Sequence, residues 1–322
     1  MSDEPLLEVD NLTVTYPDGT RALDGISFSI LPGEILGVIG ESGSGKSTLG
    51  LSILKVLPEK TELGGKVILG NRNIFEMNKS DLRNMRGKEI GMVFQDTLSA
   101  FDPLIRIGRQ IVERSVEDSV FDYKEASMKA LGIMQSLGVT YPESRMRSFP
   151  HELSGGLRQR SFITMTIFQE PKLIIMDEPT TALDVIAQIQ LVDLIRKLRE
   201  AGMGIIFITH DIVLASTFCD KLLILYAGKM MEFGRTSDLI DAPANPYTEG
   251  LIRATPTLSN LRTGLRPMKG ILPNPKNLPA GCRFWPRCPY VEEVCKVQDP
   301  PVTVIADDRV SACHFPEKVI GK

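Results

Sequence analysis

No stretch of this 322-residue chain approaches the run of about 20 apolar residues that spans a bilayer, so no transmembrane helix is expected. Its start, MSDEPLLEVD, has neither the basic flank nor the apolar stretch of a secretory leader, which predicts a cytoplasmic chain. Excess positive charge is also missing. The 37 Lys and Arg against 40 Asp and Glu leave a net charge of −3, which provides no general field for nucleic acid. There is no sustained heptad pattern and no internal repeat, so coiled-coil and solenoid architectures drop out. Cysteine is almost absent until the C-terminal region. Cys219 stands alone, and the other four, Cys282, Cys288, Cys295 and Cys313, fall within one Pro-containing stretch. In a reducing compartment such a cluster argues for a metal site over disulfides.

What remains is an ordinary globular composition, with 43% hydrophobic residues and a length suited to one large domain plus an extension. The opening LLEVDNLTVTYPDGTRALDGISFSILPGEILGVIG alternates apolar and polar residues around a Pro-Asp-Gly turn. This predicts an antiparallel hairpin leading into a third strand over residues 34–40. The runs KLIIMDEP and GIIFITHD are short and almost continuously apolar, as strands buried on both faces of a parallel sheet are. Between them VIAQIQLVDLIRKLREAG puts Ile189, Val192, Ile195 and Leu198 on one helical face, with a glycine after the last turn. Strand, crossover helix and strand make an α/β fold. Residues 104–157 read as a helical subdomain, and KMMEF as one more strand, followed by short helices up to Thr255. Pro256, Pro267, Pro273, Pro275 and Pro279 then break periodicity and predict a linker. The expected division is a catalytic domain over 1–255 and an extension over 256–322.

GESGSGKST (residues 40–48) fits G-x-x-x-x-G-K-[ST] between an apolar strand and a helix. A phosphate chain concentrates negative charge, and glycines let successive backbone N–H groups converge on it at a helix start. Gly40, Ser42, Gly43, Ser44, Gly45, Lys46, Ser47 and Thr48 are therefore assigned to a nucleotide. In that role Lys46 reaches the β- and γ-phosphates and Ser47 ligates Mg2+. Asp177, at the end of the LIIMD strand, suits Mg2+ bound through water, and Glu178 beside it suits the polarisation of an attacking water. In HELSGGLRQR, Ser154, Gly155 and Gly156 make a second small-residue nest ahead of a helix.

The order of phosphate loop, LSGGLRQ and LIIMDEP resembles the nucleotide-binding subunits of ATP-binding cassette (ABC) proteins over about residues 6–255. That resemblance implies an ABC-type P-loop NTPase: an N-terminal antiparallel β-subdomain, a mostly parallel core sheet and a helical subdomain. It implies that Tyr16 stacks on adenine, that Gln95 senses Mg2+ and the attacking water, and that His210 is a switch at the γ-phosphate. It also places Ser154, Gly155, Gly156 and Gln159 against a nucleotide and Asp184 in a loop that crosses a dimer interface. In such proteins two subunits sandwich two ATP molecules, so a second ATPase subunit is implied, either a related chain or a second copy. One departure stands out. The helix after the nest carries Phe162, Met165, Ile167 and Phe168 where smaller residues are expected.

The cysteine spacing C-x5-C-x6-C-x17-C matches neither the short zinc pairs nor the ferredoxin runs, and leaves Zn2+ and a [4Fe-4S] cluster both open. NPYTEGLIRATP followed by GCRFWPRCPY resembles the oligopeptide and dipeptide branch of ABC importer ATPases. This implies a [4Fe-4S] cluster on Cys282, Cys288, Cys295 and Cys313, tying an otherwise coreless extension to the ATPase body. It further implies two transmembrane permease subunits, an extracytoplasmic solute-binding protein, and a peripheral place on the cytoplasmic face of the membrane. Close relatives import nickel or oligosaccharides, so those solutes remain alternatives to peptide. A soluble ABC ATPase acting on nucleic acid or in translation is disfavoured by the acidic charge and the single nucleotide-binding domain. A P-loop kinase has no use for LSGGLRQ.

Overall fold

The computed structural model describes residues 4–96, 100–181, 183–255 and 268–320. The proline linker therefore lies partly outside the described residues. The first strands are β1 (Leu7–Thr15), β2 (Arg21–Ile30), β3 (Ile35–Ile39), β4 (Glu62–Leu69), β5 (Arg72–Asn73) and β6 (Ile90–Val93). They are followed by β7 (Leu173–Asp177), β8 (Gly204–Thr209), β9 (Lys221–Tyr226), β10 (Lys229–Arg235), β11 (Val302–Ala306) and β12 (Arg309–Ala312). The helices needed below are α1 (Lys46–Ile53), α2 (Ile107–Glu117), α3 (Tyr123–Ser136), α4 (Gly155–Phe168), α5 (Val185–Glu200) and α6 (Pro246–Ala254). No helix among the described residues is long and apolar enough to cross a membrane.

The chain forms two compact units. One contains residues 1–31, 35–77 and 207–322, the other 32–34 and 78–206. In the first, β1 pairs antiparallel with both β2 and β4, giving the order β2-β1-β4-β5. The expected hairpin is closed by Gly19 at φ 83° and by Asp18, whose Oδ1 accepts from the Thr20 N–H at 3.1 Å. The same unit holds the strand order β11-β12-β10-β9-β3. β3 runs parallel to β9 with Val38 opposite Leu223, and all five of its residues are buried, which is why ILGVI has no polar face.

The first two strands of that order, β11 and β12, come from the C-terminal extension. The expectation of a coreless extension is not met. Between Cys295 and Cys313, VTVIADDRVSA folds into an antiparallel hairpin, and β12 pairs with β10 through Glu232 and Phe233 opposite Ser311 and Val310. Within the extension Phe284, Cys295, Ala312 and Val319 are buried. Arg309 donates to Glu232 Oε1 at 2.8 Å and to the Ala242 carbonyl, while Glu232 Oε1 also accepts from the Ala244 N–H at 2.9 Å. Burial pushes the Glu232 carboxyl upward in pKa, and the hydrogen bonds from Arg309 and the Ala244 N–H oppose that rise.

In the second unit β6 and β7 pair in parallel, with Ile90 opposite Leu173. Helices α2, α3 and α4 pack on one another through Ile107, Ile111, Val112, Ala126, Ala130, Met134 and Ile163. The large residues of α4 find partners there. Phe162 meets Phe101 edge-on at 5.7 Å between ring centres, and Phe168 meets Phe121 at 6.4 Å. Aromatic pairs of this geometry fill space that smaller residues would leave empty.

Breaking the buried Arg309 pair strands the Glu232 carboxylate without its partner, which costs about 3–5 kcal/mol. Arg309→Ala should lower the denaturant midpoint accordingly, and an unchanged midpoint would show that the hairpin contributes little to stability.

Candidate functional site

β3 ends at Ile39 and the chain turns through a glycine-rich loop into α1. A side chain at Gly40 would meet the Leu225 carbonyl at 2.3 Å and Ser44 Oγ at 2.5 Å, so only glycine fits. Gly45 stands at φ 105°, left-handed, and a Cβ there would touch the Ala22 carbonyl at 2.9 Å. It is the N-cap of α1 and supplies no side-chain cap, so the first-turn N–H groups of the helix have no acceptor from a capping side chain. The loop is braced from below: Gly228 donates to the Ser44 carbonyl at 2.9 Å, and the Glu41 N–H donates to Tyr247 Oη at 3.1 Å. Lys46 curls back into the loop, donating from Nζ to the carbonyls of Gly40 at 2.8 Å and Glu41 at 3.1 Å. Its ammonium is thus held within the loop, where a bound anion would meet it.

Ser42 and Gly43 are exposed, Ser44 is buried, and Ser47 and Thr48 are half-buried. Tyr16, also half-buried, follows β1, and its hydroxyl shares a hydrogen bond with Thr48 Oγ1 at 3.1 Å. That contact links the aromatic hairpin to the first turn of α1. His210, exposed, directly follows β8, ahead of Asp211, which accepts from Leu214 N at 2.9 Å to cap the next helix. Phosphate loop, Tyr16 and His210 all lie in the first unit.

The second unit carries the other half of the set. Asp177 closes β7 and is buried, as is Glu178. Glu178 adopts φ 48°, a left-handed backbone unusual for a glutamate, and such strain gathers where function fixes a side chain. Gln95 is exposed two residues beyond β6. Ser154 is the N-cap of α4, accepting from Leu157 N at 3.4 Å, with Gly155 and Gly156 in the first turn. Gln159 is buried on the same helix and donates from Nε2 to the Pro179 carbonyl at 2.7 Å, so it braces the loop that follows Glu178. Asp184 caps α5, with Oδ1 accepting from Ala187 N at 2.8 Å, while its side chain is 72% exposed.

The four clustered cysteines line one cavity in the first unit, together with Phe284, Trp285 and His314. Burial pushes the Cys288 thiol up to about 12 and Cys313 up to about 11, and Cys282 shifts the same way. Among the described residues no group of three or more His, Cys, Asp or Glu stands close enough to hold a single metal ion. Sequence reasoning missed the two arginines beside these cysteines. Arg283 donates to the Ala227 carbonyl and to Asp24, each at 2.5 Å, and Arg287 donates to Glu41 Oε2 at 3.0 Å. Their position next to Cys282 and Cys288 was the available signal.

A strand, phosphate loop and helix, with a separate Ser-Gly-Gly helix start ahead of an Asp-Glu strand end, place the molecule among the ATP-binding cassette ATPases. The comparisons refine this. The family model described as ABC transporter matches residues 23–181, and that of the oligopeptide/dipeptide transporter C-terminal region matches residues 231–295. The oligopeptide transport ATP-binding protein OppD of Salmonella typhimurium is 38% identical over 315 residues, covering 97% of this chain and 94% of that one. The dipeptide transport ATP-binding protein DppD of Escherichia coli is 37% identical over 328 residues, covering 98% of both. Among solved structures, a dimeric bacterial ABC transporter cassette, MJ0796, superposes with a TM-score of 0.65 at 27% identity, over 71% of this chain and 98% of its own. The cbiO1 protein of Clostridium perfringens, part of an ABC transporter complex, gives 0.63 at 27% identity, over 74% and 92%. The chain belongs to the oligopeptide/dipeptide family of ABC transporter ATP-binding subunits.

The thiols generate a pH dependence. The folded values of Cys288 and Cys313 lie above the ordinary 9.0, so the stabilisation by their protonated forms is complete below pH 9 and is lost as pH rises towards 11 and 12. Metal-free protein should therefore lose more melting temperature between pH 9 and 11 than a variant with all four cysteines replaced by serine. Equal losses in the two proteins would remove burial of the thiols as a source of that pH dependence.

Proposed function

We propose that the chain is the ATP-hydrolysing subunit of an importer that couples ATP binding and hydrolysis to uptake of dipeptides or oligopeptides. The observation that carries this reading is the similarity to oligopeptide and dipeptide transport ATP-binding proteins along nearly the whole length of both partners, C-terminal extension included. The chain then works at the cytoplasmic face of the membrane with two transmembrane permease subunits, a second ATPase subunit and an extracytoplasmic solute-binding protein. The ATPase domain occupies 1–255, with its helical part at about 104–157, and 256–322 forms the extension.

The triphosphate lies on the backbone N–H groups of residues 40–48 at the start of α1, against Lys46, with adenine on Tyr16. Ser47, Gln95 and Asp177 are hard oxygen donors of the kind magnesium takes alongside substrate phosphates, and they would hold it. Bound magnesium neutralises part of the phosphate charge. Glu178 accepts a proton from water as the water oxygen bonds to the γ-phosphorus and the bond to the bridging oxygen breaks, leaving ADP and phosphate. Gln95 and His210 orient the reacting groups. Ser154, Gly155 and Gly156 offer N–H groups to the nucleotide held by the second ATPase subunit. Asp184 completes that junction while Gln159 braces the loop after Glu178 from within, so ATP closes the pair and hydrolysis reopens it.

The cysteine segment fits a [4Fe-4S] cluster better than one zinc ion. Zinc draws four sulfurs to about 2.3 Å from a single point, and the described thiols surround a cavity without converging that closely. A cluster binds each thiolate on a separate iron and spreads them around its faces. Cys282, Cys288, Cys295 and Cys313 would hold it, each giving up its proton, so loading strengthens as pH rises. The group would then staple the extension.

Glu178→Gln should retain MgATP binding while turnover falls by about 10²–10⁴-fold, the span of general-base catalysis. In liposomes with its permease and binding protein, the wild-type chain should drive ATP-dependent peptide accumulation. Undiminished hydrolysis by the variant, or wild-type ATPase indifferent to peptide in that assembly, would overturn the reading. Anaerobic purification should yield about four irons per chain. Stoichiometric zinc without iron would refute the cluster.

A further inference from the structure

One charge pair joins the cysteine-bearing segment to the phosphate loop. Arg287 Nη1 donates to Glu41 Oε2 at 3.0 Å, with the arginine side chain only 5% exposed. Its Nε donates to the Lys269 carbonyl at 2.9 Å, and its guanidinium lies 5.6 Å from the ring centre of Tyr226 and 6.0 Å from that of Phe284. Below it Tyr226, Tyr247 and Phe284 form a triangle of rings at 4.7–5.3 Å, drawn from β9, α6 and the extension. Glu41 is the second residue of the loop and is held at three points: its carboxylate by Arg287, its N–H by Tyr247 and its carbonyl by Lys46.

A carboxylate in a loop built for a polyanion needs an explanation. Left alone, its charge would oppose the phosphates across a distance at which charges near a protein surface still interact strongly. We propose that Arg287 is a positioning residue of the nucleotide site, which neutralises Glu41 and locks its part of the phosphate loop. The extension thereby completes the site through a residue next to Cys288. This rests on the reading of residues 40–48 as the phosphate loop. Leu272, from the same extension, lies 3.2 Å from where a Cβ of Gly43 would stand, so the segment approaches the loop at a second place.

The test measures affinity of the full chain for a non-hydrolysable ATP analogue, together with KM and kcat for ATP. Arg287→Gln should weaken binding and raise KM by about tenfold, the effect of one uncompensated charge near the phosphates, with kcat changed less. Adding Glu41→Gln to that variant should restore affinity to within about threefold, because charge and counter-charge are then both gone. Arg287→Lys, which keeps the charge, should also stay within about threefold. An Arg287→Gln protein that binds normally, a double variant as weak as the single one, or a Lys variant as weak as the Gln variant would each overturn the proposal. Should Arg287→Gln not fold, Glu41→Gln alone reads the same contact: with Arg287 unopposed, binding should tighten and grow more salt-dependent, and unchanged affinity and salt dependence overturns it. A wild-type chain that binds no nucleotide would instead defeat the reading of the loop itself.

Discussion

Holding several negative charges without burying a matching number of positive side chains is the constraint on which this molecule is built. Backbone N–H groups can do it, provided that they converge, and convergence demands conformations that side chains forbid. In the proposed phosphate loop that demand falls on Gly45 at φ 105° and on Gly40, whose Cβ would stand 2.3 Å from a carbonyl. The buried strand β3 and the helix α1 exist on either side to hold the loop still. Lys46, turned inward onto two carbonyls of its own loop, adds the one full positive charge at its centre.

The extension is built onto this arrangement and shares a compact unit with it. Three of its arginines lie largely buried on carboxylates of the body: Arg283 on Asp24, Arg287 on Glu41, Arg309 on Glu232. Buried ion pairs add little net stability over apolar contacts, but they tolerate only one seating, since any slip leaves a charge without its partner. β12, joined to β10, adds the directional hydrogen bonds that arginines alone would not provide. An extension held this way sits close enough to the phosphate loop to influence it.

Much of the architecture was legible because its signals are local. ILGVI, LIIMD and GIIFIT read as strands since burial on both faces leaves no room for polar residues, and the Pro-Asp-Gly turn announced the first hairpin. The phosphate loop was legible because its glycines and lysine have fixed spacing. The hairpin of β11 and β12 carried a signal too, in the alternation of VTVIA and the Asp-Asp turn, with Asp308 left-handed at φ 59°. The prolines and cysteines around it mask that alternation and give the segment the look of a coreless tail. Gln159 was read through its place beside the Ser-Gly-Gly nest, yet its amide is spent on the Pro179 carbonyl, a contact between residues 20 apart that no spacing rule encodes.

The amino-acid sequence by itself determined the class of fold and the phosphate-loop motif, because glycine spacing and apolar runs are read along the chain, and its motifs carry the resemblance to one branch of importer ATPases. Only the tertiary structure decided which carboxylate each arginine meets. Glu41 and Arg287 stand 246 positions apart, and whether two charges touch depends on how helices and strands pack, a cooperative outcome of burial that no local pattern contains.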